Sequence, residues 1–268
     1  MSHPFFDIDR PIVIGHRGSA ANRPENTLLS FETALCRGAQ ILESDIQLSR
    51  DGVPILLHDP NLGRTTDGEG EVSEFRWAEL REFDAASRFE DETGATPFIG
   101  KGLRIPSLEQ AFERFPDARF NLEIKCPGAE GIRATLDLVE RFGRGDRTLL
   151  AAGEDEIMQD LRHALKTHEV RPALGASLRE VVQTVASALD GSQMPPGVMA
   201  LQIPPSFGDQ ALATREFVDH AHANGIQVHV WTVNELDEIE ALLELGVDGI
   251  ITDDPGKMAD WLWHVGRR

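Results

Sequence analysis

Strand-like and helix-like patterns alternate along nearly the whole chain, and this alternation constrains the fold more than any other feature of the sequence. Apolar runs rich in β-branched residues predict eight strands, near residues 12–15, 41–48, 119–124, 148–152, 171–175, 198–203, 226–231 and 247–252. Helical spacing of apolar residues predicts helices at residues 28–37, 108–115, 130–142, 154–167, 178–189, 209–223, 235–245 and 255–263. Eight strand–helix units in about 250 residues match a closed (β/α)8 barrel, the TIM barrel, so we predict this α/β fold. A doubly wound open sheet would also alternate, but it usually has fewer strands.

One connection, residues 61–105, is too long for a simple barrel loop. It is polar and rich in glycine, with scattered aromatic residues: Phe75, Trp77, Phe83, Phe89 and Phe98. Loops of this length in a compact domain are usually functional or carry small elements of their own. Because the functional loops of a barrel gather on its C-terminal face, we predict a cap or lid segment inserted in a single domain of residues 1–268. The alternative is a surface excursion without substrate contact.

Composition excludes several functional classes. The chain has 268 residues, 41% of them hydrophobic, which is enough for a full core, and a net charge of −19, which argues against nucleic acid or an anionic membrane as partner. Cys36 and Cys126 give no disulfide framework, so a reducing compartment is expected. The first strand pattern begins near Pro11, which leaves no room for a signal peptide, and no apolar run could span a bilayer. We therefore predict a cytoplasmic protein without stable membrane insertion, and homo-oligomerisation stays open.

Two carboxylates lie two residues apart within one apolar strand pattern. Glu43 and Asp45 therefore point to the same face of the strand. Two like charges so close are costly in a buried setting unless a positive charge neutralises them, and a divalent cation is the simplest one. Oxygen ligands favour Mg²⁺ or Ca²⁺ over zinc. The alternative is an exposed edge strand with solvated acids, but the flanking Ile41, Leu42 and Ile46 argue against it.

The same spacing recurs on a later strand. Glu123 and Lys125 repeat it, so Glu123 could complete the metal site. Lys125 could form a buried salt bridge with one of these acids, and a Schiff-base lysine is the sharper alternative. The indole of Trp231, two residues after His229, could form an apolar wall of the pocket, although packing alone explains it equally well.

Two histidines follow apolar runs and are flanked by polar residues. His16 and His58 suggest a general acid–base pair, which needs pKa values near neutrality. The neighbouring Arg17 could grip phosphate oxygens with two hydrogen bonds. Asp59 could orient His58 or only begin the next turn. Two aspartates precede Pro255, and we predict that one of them, Asp253 or Asp254, caps the last helix.

These residues form an ordered set that resembles the glycerophosphodiester phosphodiesterases of the cytosolic bacterial type, over nearly the whole chain. The N-terminal part of the set reads His16-Arg17-Gly18, Pro24-Glu25-Asn26-Thr27, Glu43-x-Asp45, Asp51-Gly52, His58-Asp59 and Arg64-Thr65-Thr66. The later part reads Ile105-Pro106-Ser107-Leu108, Glu123-Ile124-Lys125, Trp231-Thr232-Val233-Asn234 and the strand from Gly246 to Pro255. Each piece alone is weak evidence, but the ordered set is specific.

The resemblance implies a (β/α)8 barrel with an insertion after the second strand. It implies that the three carboxylates hold a divalent metal, that the two histidines are the acid–base pair, and that Arg17 and Lys125 contact phosphate. The implied reaction converts a glycerophosphodiester, such as glycerophosphocholine or glycerophosphoethanolamine, to glycerol 3-phosphate and an alcohol. In the usual scheme of the family, the glycerol 2-hydroxyl attacks phosphorus, a cyclic phosphate forms, and water opens it.

Two readings remain beside this one. The first keeps the family but changes the substrate, to a lysophospholipase D activity on lysophospholipids. The second is a non-catalytic barrel that binds glycerophosphodiesters, although binding alone would not need two histidines. Ser49 stands where threonine is common in the family, and Ala151-Ala152-Gly153 stands where many members have a Ser-Phe pair. The second departure concerns the alcohol side of the substrate.

Overall fold

The computed structural model describes residues 3–267, and its centre is a parallel barrel. The strands are β1 (Ile12–Gly15), β2 (Ile41–Leu48), β3 (Pro54–Leu56), β4 (Arg119–Ile124), β5 (Thr148–Ala151), β6 (Ala173–Leu174), β7 (Ala200–Ile203), β8 (Ser206–Phe207), β9 (Gln210–Ala211), β10 (Gln227–Val230) and β11 (Gly249–Thr252). Eight of them are neighbours in the order β6-β5-β4-β2-β1-β11-β10-β7. The Met199 amide donates to the Leu174 carbonyl over 2.9 Å beside the seam between β6 and β7, so the barrel is nearly closed. The predicted (β/α)8 fold is confirmed.

The helices lie between these strands. They are α1 (Leu28–Cys36), α2 (Trp77–Leu80), α3 (Leu108–Arg114), α4 (Ala129–Arg141), α5 (Asp155–Ala164), α6 (Leu178–Asp190), α7 (Arg215–Ala223), α8 (Leu236–Glu244) and α9 (Pro255–His264). Thr27, Ser107 and Ser177 cap α1, α3 and α6, because each hydroxyl accepts a backbone N–H of the first turn. Among residues 3–267, no helix combines the length and apolar character needed to cross a membrane.

One predicted helix was wrong in its first part. The pattern placed a helix at residues 209–223, but α7 begins at Arg215, and β8 and β9 form a hairpin before it. The Pro205 carbonyl accepts the amides of Leu212 and Ala213, which holds this stretch in a turn. Thr214 then caps the helix. Local turn hydrogen bonds therefore replace the first helical turns that the apolar spacing suggested.

Apolar side chains fill both the inside of the barrel and the space between strands and helices. The interior layer is closed at the N-terminal end by Phe5 and Phe6, whose rings meet edge to face at 5.2 Å. The rest of this layer consists of Ile12, Ile14, Ile41, Leu149, Ala151, Ala173, Ala200 and Ile251. Apolar side chains therefore fill most of this layer of the barrel, and the functional residues of a (β/α)8 barrel are expected at its C-terminal end.

The insertion follows the second barrel strand, as predicted. Strand β3 pairs antiparallel with β2, and the chain then forms 3-10 turns at Leu62–Arg64 and Val72–Glu74 before α2. The segment forms a small core together with β3, separate from the barrel core and made of Ile55, Leu57, Leu62, Val72, Leu80, Ala85 and Ile105. An independent core gives the segment a fixed shape, so its polar residues can be held in defined positions.

Candidate active site

The two carboxylates of β2 lie in the barrel and are almost fully buried. Glu43 is 8% exposed and Asp45 is 1% exposed. Burial raises the pKa of Glu43 to about 7, and the like charge of Asp45 adds to the effect. A carboxyl with such a pKa is only partly ionised at neutral pH, because its charged form loses hydration on burial and lies beside a second carboxyl group.

The second pair of predicted residues joins the first across the sheet. Asp45 and Glu123 are directly paired in the register of β2 and β4. The Lys125 ammonium lies 2.8 Å from Glu123 Oε2 and 3.5 Å from Asp45 Oδ1. Burial acts to lower the pKa of Lys125, but these carboxylates and Glu43 outweigh it and raise the pKa. The amine is therefore held as a cation, which favours the salt-bridge reading over a Schiff-base nucleophile.

Gly153 supports Glu123 from the neighbouring loop. Its amide donates to Glu123 Oε1 over 3.2 Å, and a β-carbon at this position would lie 3.0 Å from the same oxygen. The departure from the Ser-Phe pair noted in the sequence therefore places a small residue against a carboxylate of the site.

Arg17 joins the carboxylates by both its backbone and its side chain. Its backbone lies in the left-handed region, with φ of 48°, a conformation that costs a non-glycine residue about 1–3 kcal/mol. In this conformation its amide donates to Glu43 Oε2 over 2.9 Å. Its Nη1 donates to Glu25 Oε1 over 2.8 Å, and its Nε lies 3.4 Å from Asp45 Oδ2. Such strain is typical of residues that are held in place for function.

His16 is oriented by an aspartate from the opposite end of the chain. Its Nδ1 lies 2.7 Å from Asp253 Oδ1, and Asn234 Nδ2 donates to Asp253 Oδ2 over 2.7 Å. Burial acts to lower the pKa of His16, but the hydrogen bond to Asp253 and the charge of Glu43 outweigh it and raise the pKa. With Nδ1 engaged, Nε2 is the ring nitrogen left for proton transfer to a substrate.

The predicted cap of the last helix is confirmed, and Asp254 is the aspartate that supplies it. Asp254 caps α9, because its Oδ1 accepts the Lys257 amide over 3.1 Å. Asp253 instead contacts His16, a role that the sequence did not indicate. The physical reason is that β1 and β11 are neighbours in the barrel, a pairing that sequence spacing does not reveal.

His58 has a corresponding partner in its own loop. Its Nδ1 lies 2.6 Å from Asp59 Oδ1, and Arg64 Nε donates to Asp59 Oδ2. Burial acts to raise the pKa of Asp59, but the hydrogen bonds from Arg64 and His58 outweigh it and lower the pKa. Of the two readings of Asp59, the structure supports the one in which it orients His58.

Other polar residues of the site had no role in the sequence analysis. Asn26, at a φ of 55°, donates from Nδ2 to Asp45 Oδ2 over 3.3 Å and accepts from Ser44 Oγ over 2.6 Å. The next residue, Thr27, caps α1. Trp231 follows β10 and is 44% exposed, whereas His229 is fully buried two residues earlier. The other seven predicted site residues take part in the contacts described above, and none of those contacts involves the Trp231 indole. The seven are His16, Arg17, Glu43, Asp45, His58, Glu123 and Lys125.

A cavity of about 510 Å³ adjoins this cluster, between the segment after β1 and the insertion. Pro24 and Glu25 line it on one side, and Arg64, Ala85 and Phe89 line it on the other. The insertion therefore forms one wall of an open space directly beside the charged groups.

The predicted metal ligands fit a divalent cation in the chemistry of their donors. Glu43, Asp45 and Glu123 offer hard oxygen atoms, and the raised pKa of Glu43 indicates that more positive charge could be accommodated. Across residues 3–267, however, no three or more His, Cys, Asp or Glu side chains form a ready group of ligands. Here the Lys125 ammonium contacts Asp45 and Glu123 instead.

Two carboxylate-oriented histidines beside basic groups, at the C-terminal end of a (β/α)8 barrel, define a hydrolase site suited to phosphate esters. The model of the Glycerophosphoryl diester phosphodiesterase family matches residues 16–257. The chain belongs to this family, and it is a phosphodiester hydrolase.

Individual relatives cover nearly the same length. A glycerophosphodiester phosphodiesterase of Caldanaerobacter subterraneus is 30% identical, over 92% of this chain and 95% of the relative. Human lysophospholipase D GDPD1 is 29% identical, over 93% of this chain and 85% of the relative. The structure of an Oleispira antarctica phosphodiesterase in complex with the product sn-glycerol-3-phosphate is 28% identical, with a TM-score of 0.76, over 93% of this chain and 96% of that chain.

Proposed function

We propose that the protein hydrolyses glycerophosphodiesters, such as glycerophosphocholine or glycerophosphoethanolamine, to glycerol 3-phosphate and an alcohol. The observation that carries the proposal is the pair of histidines, each held through Nδ1 by its own aspartate. The product bound to the Oleispira relative supports the same reaction.

The proposed chemistry uses the two imidazoles in opposite senses. The glycerol 2-hydroxyl oxygen forms a bond to phosphorus while its proton passes to Nε2 of one histidine. The bond between phosphorus and the head-group oxygen breaks, and the other histidine, in its protonated form, donates a proton to that oxygen. Water then opens the cyclic phosphate as the two proton transfers reverse. Arg17 and Lys125 offset the negative charge of the phosphoryl oxygens.

Glu43, Asp45 and Glu123 are the residues proposed to hold a divalent cation, Mg²⁺ or Ca²⁺. Such an ion would neutralise the buried carboxylates and polarise a phosphoryl oxygen. Calorimetric titration with each ion tests the proposal without an activity assay. Binding by the unmodified protein that is lost in Asp45→Asn is the expected result, and equal binding by both proteins would contradict it.

The insertion of residues 61–105 is proposed to act as a cap over the alcohol side of the substrate, within a single domain. The cavity that it forms with the segment after β1 supports this role. A cytoplasmic location is proposed together with it, because neither cysteine is in a disulfide.

A second candidate is a lysophospholipase D activity. It is favoured by the similarity to human lysophospholipase D GDPD1 and by Ile99, an apolar residue of the insertion that is 46% exposed. Turnover of lysophosphatidylcholine and of glycerophosphocholine, compared at equal concentrations, separates the two candidates. Faster release of choline from the acylated substrate would favour the second.

Replacement of either histidine tests the main proposal. His16→Ala and His58→Ala are each expected to lower glycerol 3-phosphate release by at least about 100-fold, since each removes a proton-transfer group. His163→Ala, on the exposed side of α5, is the matched control and should keep full activity. Turnover that survives either active-site change would contradict the acid–base assignment.

A further inference from the structure

One side chain of the insertion bridges two acidic residues of the site. Arg64 Nη1 and Nη2 each donate to an oxygen of Glu25 over 2.8 Å, so the pair is bidentate. Its Nε donates to Asp59 Oδ2. All three guanidinium nitrogens are therefore engaged, and a planar fork with fixed geometry transmits position as well as charge.

Each of these carboxylates holds a different residue of the proposed mechanism. The other oxygen of Asp59 lies 2.6 Å from His58 Nδ1. Glu25 Oε1 also accepts from Arg17 Nη1 over 2.8 Å. A continuous line of hydrogen bonds thus runs from the His58 imidazole through Asp59, Arg64 and Glu25 to the Arg17 guanidinium.

The position of Arg17 depends on this line. Its buried Nε has no hydrogen-bond partner among residues 3–267, and it lies 3.4 Å from Asp45 Oδ2. Without Glu25 as a competing anchor, the guanidinium could turn toward Asp45 and away from a phosphate group. Burial acts to raise the pKa of Glu25, but the bonds from Arg64 and Arg17 lower it, so the anchor stays ionised.

The backbone that carries Arg64 is fixed independently of this network. Arg64 ends the 3-10 turn Leu62–Arg64, and Leu62 is fully buried in the core of the insertion. The Arg64 side chain is 46% exposed, so its removal leaves no large cavity. The guanidinium therefore contributes orientation at the site more than stability of the fold.

From these contacts we infer that Arg64 is a positioning residue for the proposed reaction: it fixes His58 through Asp59 and Arg17 through Glu25, and so ties the insertion to proton transfer and phosphate binding together. This inference rests on the proposed function. Arg64 does not need to contact the reacting atoms to have this role.

The kinetic test uses Arg64→Gln, Arg64→Lys and a matched control. Arg64→Gln is expected to lower kcat about tenfold, the usual effect of losing a residue that orients a ligand or catalytic group, and to raise KM as well. Arg64→Lys should recover only part of the loss, because one ammonium cannot hold both carboxylates in a fork. The control Arg50→Gln removes an exposed ion pair of 3.5 Å with Glu79 of the same insertion and should change neither parameter.

Two further variants separate the two halves of the line. Asp59→Asn is expected to lower mainly kcat, and Glu25→Gln to raise mainly KM. Adding Arg64→Gln to either should cost less than it does in the unmodified protein, because the affected half is already broken. Full additivity in both double variants, full recovery by Arg64→Lys, or an unchanged Arg64→Gln enzyme would each overturn the inference.

A spectroscopic measurement keeps the test separate from the activity. The proton on His58 Nδ1, bonded to Asp59, should give a downfield NMR signal that is absent in His58→Ala. Arg64→Gln should broaden or shift this signal, whereas Arg50→Gln should not. If the unmodified protein shows no turnover, the proposed function fails, and an unperturbed signal in Arg64→Gln overturns the positioning role by itself.

Discussion

His229 should make the barrel lose stability as the pH falls below neutrality. The side chain is fully buried on β10, where its Nε2 contacts Gln227 Oε1 at 3.0 Å and its Nδ1 has no hydrogen-bond partner in the described part of the chain. Burial lowers the pKa of His229 from 6.5 to about 4, and Arg10 adds to the effect while Asp248 opposes it. In the unfolded chain, the same imidazole titrates near its ordinary pKa of about 6.5.

The sign follows from which state binds the proton. Between pH 6.5 and 4, the unfolded chain takes up a proton on His229 that the folded protein cannot, so stability is lost as the pH falls through this window. Below it both states are protonated, and no further loss arises. The difference between the two pKa values corresponds to about 3 kcal/mol in total, of which about 2 kcal/mol appears between pH 7 and pH 5.

Urea unfolding, followed by tryptophan fluorescence at pH 7, 6 and 5, measures this effect in the unmodified protein and in His229→Gln. The glutamine does not titrate, so the stability difference between the two proteins should shift by about 2 kcal/mol in favour of the variant as the pH falls from 7 to 5. The exposed His163→Gln is the control and should run parallel to the unmodified protein. If the stability of His229→Gln falls in parallel with that of the unmodified protein, the pKa of the buried imidazole is not lowered by folding.

Three shorter predictions concern the site and its support. Asp253→Asn should lower kcat by about 10-fold to 100-fold with a smaller change in KM, measured by steady-state kinetics, because His16 loses its ionic partner. Gly153→Val should weaken Mg²⁺ or Ca²⁺ binding, measured by calorimetry, because its β-carbon would crowd Glu123 Oε1 at 3.0 Å; unchanged affinity would contradict this. Arg144→Met should cost about 3 kcal/mol in urea unfolding, because the buried guanidinium donates to the carbonyls of Phe115, Pro116 and Ala118; a loss below about 1 kcal/mol would contradict this.

The fold could be predicted from the sequence because parallel strands are buried on both faces and therefore appear as continuous apolar runs. The strand β1 is an example, since all four of its residues are buried, as the run before His16 predicted. The hairpin of β8 and β9 could not be predicted, because its strands are exposed and only two residues long, too short to show an alternating pattern. Because the hairpin gave no strand pattern, the helix predicted from the apolar spacing of α7 began too early, at residue 209.

The sequence could predict those contacts of the site whose residues share one strand or one short loop. The spacing of Glu43 and Asp45 predicted a shared face, and the adjacency of His58 and Asp59 suggested a contact. The contact between His16 and Asp253 joins residues 237 positions apart, and only closure of the barrel brings them together. The family motif Pro24-Glu25-Asn26-Thr27 was the one signal that could have indicated a role for Glu25, but its partners required coordinates.

The most direct test of the account is release of glycerol 3-phosphate from glycerophosphocholine, before and after treatment with EDTA and with Mg²⁺ or Ca²⁺ restored. We expect that release stops with EDTA, returns with at least one of the two ions, and does not return in His16→Ala or His58→Ala. Release that continues in EDTA would contradict the metal site, and release that survives loss of either histidine would contradict the catalytic assignment.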